Sequence, residues 1–168
     1  AQANVTVLDW QGKNAVAAAE VEVLYADVIS NGIPLGMPSA WTNEDGRAVV
    51  EGLPTALAVR MRARYGVLEG DSGSVQFTAG QKASLEIRLE KPVGDVQVSV
   101  ENDLGELVPA AGVTAKVGLV KVANCTTDAG GNCKLSRVDA NADVSVTVAG
   151  RGYADKTVVV NLEPKQTL

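Results

Sequence analysis

One stretch of this chain occurs twice. Thr42-Asn43-Glu44-Asp45-Gly46 returns 85 residues later as Thr127-Asp128-Ala129-Gly130-Gly131. An alternating apolar segment follows each occurrence. Upstream, residues 5–21 lie over residues 96–113, with Gly12 and Gly105 at the intervening turns. A period of this size is too long for a solenoid and implies two copies of one small domain. The expected domains are residues 1–91 and 92–168, joined at Lys91-Pro92-Val93-Gly94, where the proline limits rotation.

Apolar residues alternate with polar ones through most of both halves, the period of a half-buried strand. Val59, Met61, Ala63 and Tyr65 alternate with Arg60, Arg62 and Arg64; Leu85, Ile87 and Leu89 alternate with Glu86, Arg88 and Glu90. In the second half the series are Val96, Val98, Val100; Val113, Ala115, Val117, Leu119; and Val144, Val146, Val148. Residues 31–38 and 66–73 read as loops, the former marked by Asn31-Gly32, Pro34, Gly36 and Pro38. About seven short strands per half describe an all-β chain of two tandem β-sandwich domains.

Cys125 and Cys133 flank the second turn symmetrically. In a hairpin centred on Ala129 they face each other, so a disulfide across the hairpin is expected, and with it an oxidising compartment. The alternative is a pair of reduced thiols buried as small hydrophobes. The matching positions in the first half are Ala40 and Ala48.

The chain has no His, which removes Ser–His and Cys–His nucleophiles and the commonest metal ligand. Its formal charge of −5 argues against nucleic acid as a partner. No apolar run approaches membrane-spanning length. Asp139-Ala140-Asn141-Ala142-Asp143 has the opening spacing of a calcium loop, but Val144 and Gly150 stand where its Gly and bidentate Glu belong. No metal and no cofactor are expected. The stripe Arg60, Arg62, Arg64 offers two readings: a grip on an anionic partner, or a solvated face paired across strands with Glu86 and Glu90. Trp10 and Trp41 flank turns; an indole there stacks on a sugar ring or plugs the end of a sandwich core.

The order of residues resembles a known family. A strand and a Gly turn precede Ala-Val-Ala-Ala-Ala-Glu-Val-Glu-Val at 15–23. Thr-Asn-Glu-Asp-Gly-Arg at 42–47, Gly-Leu-Pro at 52–54 and a strand ending in Tyr65-Gly66 follow. This resembles the carboxypeptidase regulatory-like domain, whose fold is a transthyretin-like, Ig-like β-sandwich. The second half departs from it, with Gly130-Gly131-Asn132 for Asp-Gly-aromatic and Val138-Asp139-Ala140 for Gly-Leu-Pro. Cna-B relatives carry a Lys–Asn isopeptide bond, but neither first strand here has a Lys, so that cross-link is not expected. The resemblance implies a non-enzymatic spacer, stalk or adhesion segment within a larger secreted or surface protein of bacteria. The implied location is extracellular, cell-surface or periplasmic, and the partner a protein or a glycan. The alternative is a carbohydrate-binding module using Trp10 or Trp41.

Overall fold

A computed structural model describes residues 1–25 and 38–168; the loop expected over 31–38 lies, but for Pro38, outside them. Every regular element among the described residues is a β-strand. They divide into two compact units, Ala1–Lys91 and Pro92–Leu168, each with its own apolar core.

Unit 1 contains β1 (Gln2–Leu8), β2 (Glu20–Tyr25), β3 (Ser39–Trp41), β4 (Arg47–Val50), β5 (Ala58–Tyr65), β6 (Leu68–Gln76) and β7 (Lys82–Arg88). They form two sheets of order β4-β1-β7 and β3-β2-β5-β6. Period-two alternation sends Val5 and Val7 of β1, Val21 and Val23 of β2, and Val59, Met61 and Ala63 of β5 into the core. Phe77 and Ile87 complete it. β1 runs antiparallel to β4 and parallel to β7, so the first and last strands of the unit lie side by side.

The loop expected over 66–73 is mostly strand. Only Gly66-Val67 turns; β6 then pairs with β5 through a bulge between Arg60 and Arg62. Gly70-Asp71-Ser72-Gly73 has poor strand propensity, and the ladder of β5 overrides it. Ser72 Oγ accepts the Met61 N–H at 3.0 Å, which fills the gap the bulge opens. Gly70 is required by packing, because a Cβ there runs into the Arg88 carbonyl oxygen of β7.

Unit 2 contains β8 (Val93–Ser99), β9 (Gly112–Val117), β10 (Val120–Thr126), β11 (Asn132–Asp139), β12 (Asp143–Ala149) and β13 (Lys156–Asn161). Its sheets are β10-β9-β12-β13 and β11-β8. Val96 pairs with Leu135 as Ala3 pairs with Val50. Val96 therefore matches Ala3, two residues earlier than the sequence overlay places it. The register is set by β4 and β11, and a shift of two leaves the buried phase unchanged. Where unit 1 has β7, the described residues that β8 meets are 165–168: Lys165 donates to the Val93 carbonyl at 2.7 Å. Asp95 and Gln97 donate to the Gln166 and Leu168 carbonyls at 2.8 Å, and Leu168 donates to the Asp95 carbonyl at 3.0 Å.

Candidate functional site

The duplicated turn is a strand-to-strand arch pinned by a buried threonine. Thr42 Oγ1 donates to the Val16 carbonyl at 2.7 Å and accepts the Ala19 N–H at 2.8 Å. Thr127 Oγ1 donates to the Val108 carbonyl and accepts the Ala111 N–H, both at 2.8 Å. Backbone bonds flank each pin: Ala18 and Ala110 donate to the Thr42 and Thr127 carbonyls, and the two threonine N–H groups donate to the Ala19 and Ala111 carbonyls. Beyond the pin, Asn43 Oδ1 accepts from Asp45 and Arg47, and Asp128 Oδ1 from Gly130 and Asn132. An Asx side chain holding two backbone donors makes the tight turn that the sequence signals.

Cys125 and Cys133 are joined by a disulfide, with a Cα–Cα separation of 6.0 Å. It does not cross a hairpin. β10 pairs with β9 and β11 with β8, so the bridge ties one sheet to the other over the arch. A turn of this length links two strands equally well within a sheet or between sheets, and the spacing about Ala129 is the same in both. Ala40 and Ala48 occupy the matching places on β3 and β4 of unit 1, likewise in opposite sheets. Closing so short a loop stabilises the folded state by about 2–3 kcal/mol in the chain-entropy account. Reduction is expected to lower the melting transition of unit 2 by about 10–15 °C. Calorimetry with and without reductant checks this; a transition that does not move contradicts it.

The arginine stripe is a self-paired face, but its partners are not those the alternation indicates. Arg60 meets Asp71 at 3.4 Å, Arg62 meets Glu22 at 3.9 Å, and Arg64 meets Glu22 at 3.4 Å and Glu69 at 3.1 Å. These acids lie on β2 and β6, the strands flanking β5. Glu86 sits in the other sheet and pairs with Arg88 at 2.9 Å. Glu90 Oε1 accepts the Glu69 N–H at 3.3 Å. Exposed pairs of this kind are worth about 0–1 kcal/mol each. They neutralise the stripe more than they stabilise the fold.

Both tryptophans are at the surface, and neither belongs to the core of unit 1. Trp41 is 64% exposed on β3, in register with Glu20, which on its other side faces Arg64. Trp10 is 43% exposed, and Lys91 Nζ lies 5.2 Å from its ring centroid, a cation–π contact. Trp41 belongs to the β3-β2-β5-β6 sheet and Trp10 follows β1 of the opposite one.

Two surface carboxylates are held below the ordinary range. The Lys13 N–H does this for Asp9, with help from Asn14. Lys134, whose ammonium lies 2.6 Å away, does it for Asp95, with the Arg137 N–H. A depressed folded pKa means stability present above the unfolded value of 3.8 and lost as pH falls through and below it. Asp95→Asn is expected to lower the unit 2 melting transition at neutral pH and leave it little changed well below pH 3.8, which flattens the acid limb between. An unaltered limb contradicts this assignment.

Unit 2 also carries a groove of about 670 Å³ between its sheets, lined by Val98, Val100, Val146, Val148, Val158 and Val160. Asp139 ends β11 and Asp143 opens β12, where its carboxylate accepts from Asn161 at 3.2 Å.

No protein-family model and no curated protein sequence matches the chain. Among solved structures, it is similar to the Bacillus anthracis TIE protein, with a TM-score of 0.53 and 16% identity over 99% of this chain and 32% of that one. A Streptococcal ancillary pilin aligns with 99% of this chain and 60% of its own, at TM-score 0.41 and 12% identity. The shaft pilin spaA of Lactobacillus rhamnosus GG aligns with 99% of this chain and 94% of its own, at TM-score 0.40 and 12% identity. The chain thus spans about a third of the TIE protein, and at this identity the likeness is one of fold: an all-β chain of sandwich units.

Proposed function

We propose that the chain is a non-enzymatic structural and interaction segment, a spacer or stalk, of a secreted or surface-exposed bacterial protein. Its two units are copies of one carboxypeptidase regulatory-like domain. One observation carries the reading: the pinned arch recurs bond for bond, while the positions around it are Ala40 and Ala48 in one unit and a disulfide in the other. What the units share is scaffold and not chemistry. The disulfide supports an extracellular, cell-surface or periplasmic setting, and the self-paired arginine face supports solvation over ligand capture.

The exposure of Trp41 keeps glycan binding as the second reading. The two part in a tryptophan-fluorescence titration against a panel of mono- and oligosaccharides. The spacer reading expects no saturable change; a saturable response that disappears in Trp41→Ala or Trp10→Ala replaces it with the glycan reading.

A further inference from the structure

We infer that unit 1 is a tension-bearing module whose mechanical clamp is the parallel ladder of β1 and β7, loaded in shear when the chain is pulled along its length. This deepens the spacer reading and rests on it for its use. The geometry stands on unit 1 alone.

The clamp follows from strand direction. Seven residue pairs stand in parallel register, from Gln2 with Lys82 to Leu8 with Arg88. The Gln2 N–H donates to the Gln81 carbonyl at 2.9 Å at one end of the ladder. At the other end the Leu89 N–H donates to the Leu8 carbonyl at 3.0 Å. Tension along the chain enters unit 1 at Ala1, beside the first of these bonds, and leaves at Lys91, beside the last. The two strands are therefore drawn past each other lengthwise. The bonds of a parallel ladder are evenly spaced, so they share that load and fail together. Strands pulled apart from the same end open one bond at a time.

Neither strand slips out alone. β1 is the central strand of its sheet, and Ala3, Val5 and Val7 are buried, so a lengthwise slip drags three apolar side chains out of the core. β4 holds its other edge, and the Val7 N–H donates to the Gly46 carbonyl at 2.8 Å, which fastens β1 to the pinned arch. At the exit Ile87 and Leu89 are buried. Beyond them the Glu90 N–H donates to the Glu69 carbonyl of β6 at 2.8 Å, and Glu90 Oε1 accepts the Glu69 N–H. The chain thus leaves unit 1 bonded to both sheets. The arch then has a mechanical role, keeping β1 in place while β7 is pulled.

The test stretches single molecules of the full oxidised chain in two directions. Ala79 is exposed in the turn ahead of β7. Both native cysteines are closed in the disulfide, so Ala79→Cys offers one thiol for a handle. Pulling between Ala1 and position 79 loads the starts of β1 and β7, which lie at the same end of the ladder, and peels the same bonds in turn. Forced unfolding reads the barrier to leaving the native state and not equilibrium stability. Unit 1 is therefore expected to open at a severalfold lower force in that direction than when the chain is pulled from end to end. Proline reads the ladder itself. The Leu89 bond shows that odd-numbered N–H groups of β7 face β1, so the even-numbered ones face away. Ala83→Pro removes a ladder donor and Ser84→Pro does not. Ala83→Pro is expected to lower the end-to-end force of unit 1, and Ser84→Pro to leave it unchanged. Equal forces in the two directions overturn the proposal, and so do equal losses for the two prolines. Neither result touches the spacer reading, which the count of unfolding events tests.

Discussion

Thr42→Val is expected to destabilise unit 1 by about 2–4 kcal/mol. The substitution keeps the shape and removes one oxygen. That oxygen satisfies the Ala19 N–H and the Val16 carbonyl in a position with 6% exposure, where water does not replace it. Two buried polar groups left without partners cost about 1–2 kcal/mol each, the lower part of the range for unsatisfied buried groups. Thr42→Ser retains both bonds and loses only a methyl, about 1 kcal/mol. Thr127→Val is expected to do the same to unit 2, whose pin has the same partners in kind. Calorimetry reads the outcome as a fall of about 10–20 °C in one unit's transition. Equal losses for Val and Ser at position 42 contradict the role given to the hydroxyl.

Gly46→Ala and Gly131→Ala are expected to be still less tolerated in their respective units. Both glycines have left-handed backbones, with φ of 68° and 71°. An Ala in that region costs about 1–2 kcal/mol from conformation alone. At Gly46 a Cβ also falls 2.8 Å from the Val7 carbonyl oxygen and 2.9 Å from Ala15 Cβ and Val16 N. At Gly131 the nearest atom is the Val100 carbonyl oxygen at 2.9 Å. Those approaches exist because Val7 and Val100 donate to the Gly46 and Gly131 carbonyls, at 2.8 and 2.9 Å. Making room means breaking the bond that holds the turn to the first strand, so a total near 3–5 kcal/mol follows. Gly52 separates the two causes, since its φ is 73° but a Cβ there meets nothing. Gly52→Ala is expected to cost only the conformational part. A Gly46→Ala loss no greater than the Gly52→Ala loss rules out the steric account.

Much of this was legible in the residues. The strand of Val59, Met61 and Ala63 is announced by perfect alternation, because one face is buried and the other charged. The arches are announced by Thr, Asx and Gly at fixed offsets, each type needed for a different bond. The cysteine pair is legible as a pair, but its setting is not. A hairpin and an arch differ in whether the chain rotates out of its sheet at the turn, which local spacing does not encode. The partners of Arg60, Arg62 and Arg64 were hidden for another reason. β6 is built of Gly70, Asp71, Ser72 and Gly73, whose propensities describe a loop, and only the ladder of β5 makes it a strand that presents Asp71 and Glu69. The groove was hidden because no residue signals it. It emerges only when the register of β8 is known and Val98 and Val100 are found half-buried where Val5 and Val7 are covered.

The central claim is that the chain works as two like scaffolds, each an independent unit able to bear load, the second cross-linked between its sheets. Single-molecule stretching of the full chain between its ends tests this most directly. The account predicts two discrete unfolding events, of about 30 nm for unit 1 and about 25 nm for unit 2, the latter gaining about 2 nm on reduction. A single merged event, or extension without discrete unfolding, contradicts it.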